Sequence, residues 1–262
     1  MNWIQSLILG LIQGLTEFLP VSSSGHIELG KALLGVNIEE NLLFTVILHT
    51  ATVLSTLVVF RKDLAAIFKG LFNFKWNESY DFTIKIILSM IPAAIAGLLW
   101  ENQIESLFTG NILFVGSMLI GTSLVLALTT MVRHKGKEIN YFRAFIIGLA
   151  QAVAILPGLS RSGATIATGL YLGIDKDKVT RFSFLMVIIP ILGASFLSLI
   201  KADETFTGNI ALLPLVIGFL AAFVSGWFAC RWMISIVKRG KLIYFSAYCL
   251  AAGLIAIIFG LV

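Results

Sequence analysis

Long apolar runs alternate with short polar segments along the whole chain, and the runs fall into two length classes. Six are long enough to cross about 30 Å of hydrocarbon as helices, at roughly 42–60, 83–100, 112–132, 182–200, 210–230 and 243–262. Four shorter runs form two pairs, at about 3–18 with 27–36 and at about 141–156 with 164–174. The segments Pro20–Gly25 and Pro157–Gly163 interrupt these pairs. Since irregular backbone at membrane depth must be buried in protein or line a wet cavity, each pair predicts a re-entrant hairpin.

The pattern therefore predicts an all-α integral membrane protein with six transmembrane helices and two re-entrant helical hairpins. A hairpin followed by three spans occurs twice, and a shift of 138 residues places Gln13 on Gln151 without a gap. We divide the single membrane domain, 1–262, into repeat one (1–132) and repeat two (139–262). An odd number of spans in each repeat gives the two halves opposite orientations, which is an inverted-topology repeat.

The distribution of basic residues predicts how the chain is oriented. Most of the 19 Lys and Arg residues lie in four segments, at 61–82, 133–143, 175–181 and 231–242. The positive-inside rule places such segments in the cytoplasm, and the six-span arrangement puts all four on one side. Both termini are then outside, hairpin one enters from outside and hairpin two from inside. The two Ser/Gly-rich tips are expected to meet near the middle of the membrane.

Composition supports the membrane assignment and excludes soluble classes. Hydrophobic residues make up 58 % of the chain and charged residues 13 %, against about 25 % charged in soluble domains. The net charge of +5 comes from the loops, so it does not indicate a nucleic-acid partner. Cys230 and Cys249 lie in apolar segments and are expected to be buried thiols. The first apolar run lacks the flanks of a cleavable signal peptide, so we expect it to be retained.

The first hairpin places ionisable and hydroxyl side chains at apolar depth, where they are costly and indicate function. Gln13 and Glu17 are four residues apart, so they share a helix face. Pro20 ends that helix, and the next is expected to begin near His26. Three serines precede it and can cap its free N–H groups, which also suit a phosphate. They are Ser22, Ser23 and Ser24.

The second hairpin repeats this design and adds a guanidinium. Its next helix is expected from about Ala164, with Thr165 one turn in. Arg161 supplies a full charge and a fork that suits phosphate oxygens. Two positive helix ends then point at one volume, which predicts a single anion-processing site. A plain buried ion pair between Glu17 and Arg161 is the simpler alternative, but it leaves the repeated Ser-x-Ser-Gly unexplained.

Other polar residues in apolar segments have simpler interpretations. His49 has no polar neighbour of note in the sequence, so we expect a packing role. Glu28 and Lys31 are three residues apart and are expected to form a local ion pair.

Two motifs carry a family resemblance. G-L-T-E-F-L-P-V-S-S-S-G-H and L-P-G-L-S-R-S-G-A-T resemble the signature motifs of the undecaprenyl-pyrophosphate phosphatase family, the bacitracin-resistance type. R-F-S-F-L-M-V-I-I-P, from Arg181, resembles that family's downstream segment. The resemblance implies a bacterial inner-membrane enzyme with inverted repeats. It removes the terminal phosphate of a C55 lipid pyrophosphate, recycles the carrier for peptidoglycan synthesis and needs a divalent cation. Its first motif is usually Glu/Gln-x-x-x-Glu, and Gln13 is the amide form.

These arguments give three sets of predicted site residues. The catalytic set is Glu17, Ser23, His26 and Arg161. The substrate-binding set is Ser22, Ser24, Ser160, Ser162, Thr165 and Gln151. The metal ligands are Glu17 and Gln13, holding Mg²⁺ or Ca²⁺. Ser23 is the nucleophile candidate, activated by Glu17 or His26, while a water or His26 itself remains open as the attacking group.

A transporter is the rival from another class. A lipid-phosphate flippase or an anion carrier would use inverted repeats and broken helices around an anion, without a nucleophile or a metal. The expected partners are a polyprenyl pyrophosphate substrate and membrane lipid, with no nucleic acid. The sequence leaves the oligomeric state open, and a homodimer is retained as one arrangement.

Overall fold

The computed structural model describes residues 1–36, 42–100, 103–104, 106–108, 111–132, 135–193 and 211–261. Within these ranges the chain forms α1 (Trp3–Phe18), α2 (Ser23–Leu34), α3 (Leu42–Val59), α4 (Arg61–Leu71), α5 (Glu78–Leu99), α6 (Ile112–Leu128), α7 (Tyr141–Val153), α8 (Arg161–Tyr171), α9 (Lys176–Met186), α10 (Leu212–Lys238) and α11 (Ile243–Leu261). The described residues contain no β-strand, and one isolated β-bridge joins Lys137 and Ile174. The all-helical prediction is confirmed.

Several helices are long and apolar enough to cross a membrane, which makes this a multi-pass membrane protein. Four qualify on their own among the described residues, namely α5, Ile112–Met131, α10 and α11. A fifth results if Leu43–Val59 and Arg61–Leu71, which are bent by 75°, count as one broken span. These helices correspond to five of the six predicted runs, although α10 continues to Lys238 rather than ending near residue 230.

The remaining predicted run, 182–200, lies partly outside the described residues. Its described part is not one helix, because α9 begins at Lys176 and ends at Met186, and helix resumes over 188–193 after a turn. The early start has a local cause, since the Asp175 side chain accepts hydrogen bonds from two backbone N–H groups of the first turn. Pro190 lies in the first turn of the resumed helix, where a missing N–H is tolerated.

Each hairpin is a pair of helices with a short break between them. Its second helix starts three residues earlier than predicted, at Ser23 instead of His26 and at Arg161 instead of Ala164. The serine before each start is the N-cap. Ser22 accepts a hydrogen bond from the Gly25 N–H at 3.2 Å, and Ser160 accepts one from the Gly163 N–H at 3.0 Å. The predicted capping role is therefore confirmed, with the helix boundary corrected.

The first helix of each hairpin packs against a long helix from the other half of the chain. The first helix of hairpin one, α1, packs on α10 of repeat two, and α7 packs on α5 of repeat one. Equivalent glycines allow both close approaches. A Cβ added to Gly10 would lie 2.5 Å from the Gly218 carbonyl oxygen, and one added to Gly148 would lie 2.3 Å from the Ser89 carbonyl oxygen. Gly10 and Gly148, which the shift of 138 residues superimposes, thus both lie at close helix contacts.

The four basic segments meet at one end of the molecule. Arg181 pairs with Asp63, Lys178 pairs with Glu138, and Lys238 Nζ lies 2.9 Å from Asp177 Oδ2. These pairs join segments that are far apart in the sequence. The six-span arrangement requires the four segments to share a side.

Candidate active site

The tips of the two hairpins are in direct contact. A Cβ added to Gly25 would lie 3.2 Å from the Cα of Gly158. The Ser162 hydroxyl donates to the Leu19 carbonyl oxygen at 3.2 Å, and the Gly158 N–H reaches the Ser24 hydroxyl at 3.5 Å. The prediction that the tips meet is confirmed, and residues of both hairpins therefore lie close together.

Glu17 is the centre of this site and is nearly inaccessible, with a side chain only 5 % exposed. Its Oε1 pairs with the Arg161 guanidinium from the opposite hairpin. Its Oε2 accepts hydrogen bonds from the Ser23 hydroxyl at 2.6 Å and from the Gln13 side-chain N–H at 2.9 Å. Four of the predicted site residues are thus brought together around one carboxylate.

A small cavity adjoins the Glu17–Arg161 pair. Its volume is about 20 Å³, which is room for roughly one water molecule. Apolar side chains close most of its wall, and they include Phe18, Val53, Phe184, Val187 and Ile191. A diphosphate is much larger than one water, so anion binding here requires the groups around Arg161 to move apart.

Each hairpin places a helix N-terminus at the contact between the two tips. α2 and α8 both begin there, and the positive end of a helix favours a nearby anion. Each tip also carries two serines separated by one residue, and the two pairs are arranged alike. Ser22 and Ser24 hydroxyls lie 3.3 Å apart, as do those of Ser160 and Ser162. The repeated Ser-x-Ser motif therefore forms the same local structure twice.

Thr165 links the start of α8 to α9 through its hydroxyl. Its Oγ1 donates to the Arg161 carbonyl oxygen at 2.9 Å, which ties the first turn of α8 to the residue that carries the guanidinium. The same oxygen lies 2.5 Å from the Ser183 hydroxyl of α9, and Ser183 lines the cavity. Ser183 was not among the predicted site residues.

A family model described as bacitracin resistance protein BacA matches residues 6–255. The chain belongs to the BacA family. It is 56 % identical over 261 residues to the undecaprenyl-diphosphatase of Christiangramia forsetii, covering 99 % of this chain and 98 % of that protein. The undecaprenyl-diphosphatase of Bacteroides thetaiotaomicron is 54 % identical, with 98 % and 99 % covered. That of Salinibacter ruber is 38 % identical, with 97 % of each covered.

The predicted cation ligands of this BacA-family protein do not form a cation site as they are arranged. Gln13 directs an N–H at Glu17, and both Glu17 oxygens already accept hydrogen bonds. Hard cations such as Mg²⁺ and Ca²⁺ need several free oxygen ligands. Among the described residues, no group of three His, Cys, Asp or Glu side chains is placed to hold a metal ion. The donor set at positions 13 and 17 therefore does not fit a cation held by the protein alone.

His26 does not face Ser23 in the BacA-family structure. Its Nδ1 lies 2.8 Å from the Ser22 carbonyl oxygen and its Nε2 lies 2.8 Å from the Tyr248 hydroxyl. A carbonyl oxygen can only accept, so Nδ1 carries the hydrogen and Nε2 accepts one from Tyr248. No hydrogen bond found among the described residues joins His26 to Ser23 or Glu17. Of the two predicted activators of Ser23, only Glu17 is in position.

The interpretation of His49 as a packing residue without polar neighbours was wrong. Its Nδ1 lies 3.0 Å from the Gln13 side-chain nitrogen and 3.6 Å from Glu17 Oε2. Because Glu17 accepts from Gln13, the amide presents its NH₂ group, and His49 Nδ1 accepts the second hydrogen. His49 therefore holds the amide that orients the carboxylate.

Replacing His49 with leucine is expected to destabilise the protein by about 1–3 kcal/mol, since a buried Gln13 N–H loses its acceptor. Glutamine at the same position can supply an amide oxygen and should behave much like the parent. Thermal unfolding of the detergent-solubilised variants measures both effects. A leucine variant as stable as the parent would show that the Gln13–His49 contact does not hold the site together.

Gln151 is not brought to the cluster. It is buried, and neither polar atom of its amide has a hydrogen-bond partner. The sequence repeat gives a reason, because the positions equivalent to Glu17 and His49 are Ile155 and Val187. The amide of repeat two thus lacks the partners that its counterpart Gln13 has.

The predicted ion pair between Glu28 and Lys31 is confirmed at 3.7 Å, away from this site.

Proposed function

We propose that this protein is a membrane phosphatase that hydrolyses undecaprenyl pyrophosphate to undecaprenyl phosphate and inorganic phosphate. The reaction returns the lipid carrier to peptidoglycan synthesis, and it would confer resistance to bacitracin. One observation carries the proposal, namely the 2.6 Å hydrogen bond from Ser23 to a carboxylate that also binds Arg161. Highly identical relatives bear the name undecaprenyl-diphosphatase.

The reaction begins with transfer of the Ser23 proton to Glu17. The Ser23 oxygen then bonds to the terminal phosphorus, and the bond from that phosphorus to the bridging oxygen breaks. Undecaprenyl phosphate leaves with the proton that Glu17 had taken. Glu17 then accepts a proton from the water that attacks the phosphoserine, and that proton returns to the Ser23 oxygen as inorganic phosphate leaves. Direct attack by a water, with Glu17 as its base, or attack by His26 would use the same binding groups.

The proton transfer from Ser23 to Glu17 also releases Arg161 to bind phosphate. Glu17 loses its negative charge when it takes the Ser23 proton, so its attraction for Arg161 falls. The guanidinium is then available to the oxygens of the phosphoryl group, which gain from its fixed charge and fork. The N-termini of α2 and α8 add N–H donors on either side. Ser22, Ser24, Ser160 and Ser162 lie at these N-termini and are the proposed substrate-binding hydroxyls.

The proposed arrangement in the membrane has six spans and two re-entrant hairpins in the bacterial inner membrane, with both termini outside. The meeting of the basic segments at one end supports it. So do the lengths of α1 and α7, which have 16 and 13 residues, against about 20 for a full crossing. In this arrangement the chain is a single membrane domain made of two inverted repeats.

Phosphate release from purified protein in detergent tests the proposed function. The parent should convert undecaprenyl pyrophosphate to the monophosphate, and Glu17→Gln should abolish the reaction because the amide cannot accept the Ser23 proton. A chelator should reduce the parent's activity if the predicted Mg²⁺ or Ca²⁺ requirement holds. No phosphate release by a folded parent, together with movement of lipid phosphate across vesicles, would instead support the flippase.

A further inference from the structure

An apolar groove of about 380 Å³ lies between α2 and α11. Most of its wall is aliphatic or aromatic, including Leu29, Leu33, Ile112, Ala252, Ile255 and Phe259. The two polar side chains in its lining are His26 and Tyr248, which are hydrogen bonded to each other. The groove therefore suits an amphiphilic ligand, because it has one polar position and an extended apolar surface.

The groove begins beside the candidate active site. His26 lies on α2 only three residues after Ser23, whose hydroxyl contacts Glu17. From Tyr248 the wall follows α11 as far as Phe259, a helical rise of about 16 Å. Leu33 near the end of α2 and Ile112 at the start of α6 complete that far end. The groove thus leads from the hairpin tip toward the end opposite the basic segments, which is the predicted outer side.

The cavity at Arg161 and this groove differ in a way that assigns their roles. The cavity is polar on one side and has room for about one water, while the groove is open and apolar. A lipid diphosphate needs a polar site for its reacting phosphate and an adjoining apolar surface for the chain. The start of α2 connects the two regions, since His26 of the groove lining lies three residues after Ser23, which contacts Glu17.

We propose that the groove holds the first isoprene units of the lipid diphosphate, with the lipid-linked phosphate beside His26, and that Tyr248 is the positioning residue for His26. This inference rests on the proposed phosphatase function and adds a chain-binding subsite to it. Tyr248 fixes His26 in two ways. Its hydroxyl donates to Nε2, and its ring stacks on the imidazole with centroids 5.5 Å apart and planes 14° apart.

Filling the groove tests the subsite. Ala252→Phe places a ring in the apolar wall, and the KM for undecaprenyl pyrophosphate should rise by roughly 10-fold or more as apolar contact is lost, with kcat changed much less. Ala247→Phe makes the same substitution at an exposed position of α11 outside the groove, and its KM should match that of the parent. An unchanged KM in a folded Ala252→Phe protein would overturn the assignment.

Photolabelling of the parent gives a result that does not depend on a variant's folding. A prenyl diphosphate with a diazirine near its first isoprene units should label peptides of α2 and α11, and excess undecaprenyl pyrophosphate should remove that label. Label confined to helices that do not line the groove would overturn the subsite. So would label on α2 and α11 that excess phospholipid removes and undecaprenyl pyrophosphate does not, because the groove would then hold bulk lipid.

Tyr248→Phe tests the positioning role. Loss of the hydroxyl frees His26 Nε2, so His26 should react faster with diethyl pyrocarbonate, and kcat/KM should fall by about 10-fold. Tyr244→Phe, at an exposed position one turn earlier on α11, is the matched control and should change neither. Unchanged reactivity and unchanged kcat/KM in Tyr248→Phe would remove the role. A parent that binds and photolabels but releases no phosphate would defeat the phosphatase proposal while leaving the groove assigned.

Discussion

Replacing Ser23 with alanine is expected to reduce phosphate release by several orders of magnitude. The Ser23 hydroxyl donates to Glu17 at 2.6 Å, so the proposed nucleophile and its base are already in contact. Ser22 still caps α2 in this variant, because its own hydroxyl accepts the Gly25 N–H. The loss should therefore reflect chemistry rather than unfolding of the hairpin. Rapid quench of the parent with labelled substrate should leave acid-stable label on the protein.

The size of the loss separates the possible nucleophiles. If a water attacks, Ser23→Ala removes only a hydrogen bond, and the cost is roughly 1–3 kcal/mol or about 5- to 150-fold. A trapped label that is acid-labile and base-stable would point to His26. Ser117→Ala is the matched control, since Ser117 is exposed on α6 and bonds a backbone carbonyl. A modest loss without trapped label would defeat the serine mechanism and leave the phosphatase proposal standing.

The local features of the hairpins could be predicted from the sequence because their causes are local. Serines before a helix start, and a carboxylate and amide four residues apart, have few structural outcomes in an apolar segment. The repeat then indicated that the two tips meet, and the Glu17–Arg161 pair joins positions that are 144 residues apart. The predicted helix starts are three residues late, because the N-caps are Ser22 and Ser160 and the helices begin directly after them.

The partners of these residues could not be predicted, because they depend on tertiary packing. Tyr248 and His26 are 222 residues apart, and nothing in the sequence marks one tyrosine of α11 over another. The sequence does contain a signal for His49. Polar residues recur at Thr45, His49, Thr52 and Thr56 of α3, three or four apart, which is the spacing of one helix face. Thr52 and Thr56 line the cavity at Arg161.

The predicted cation site depends on the orientation of a side-chain amide, which the sequence does not determine. Spacing placed Gln13 and Glu17 on one face correctly, but it did not show which atom of the amide faces the carboxylate. The structure has the N–H toward Glu17 and the guanidinium on the other oxygen. A resting site stabilised by these hydrogen bonds is satisfied without an ion. The need for Mg²⁺ or Ca²⁺ during turnover stays a prediction for the chelator assay.

Replacing Arg161 with lysine is expected to lower kcat by about 10²-fold or more, although the charge is kept. The guanidinium binds the Glu17 oxygen at rest and, in the proposed reaction, moves to two phosphoryl oxygens at once. An ammonium can replace the first contact but offers no planar fork for the second. The lysine variant should therefore fold with its ion pair intact and fail in the transition state. Phosphate release measured with saturating undecaprenyl pyrophosphate reports this loss in kcat.

A matched substitution distinguishes this effect from a general sensitivity to arginine replacement. Arg239→Lys changes an exposed arginine at the end of α10, in a basic segment remote from the hairpin tips, and should leave both stability and turnover as in the parent. Thermal unfolding of Arg161→Lys should also match the parent, since Glu17 keeps a cationic partner. A slow but stable Arg161→Lys protein places the guanidinium on the reacting phosphoryl group. Near-normal turnover would make Arg161 a structural partner of Glu17 and leave the helix N-termini as the main source of positive potential.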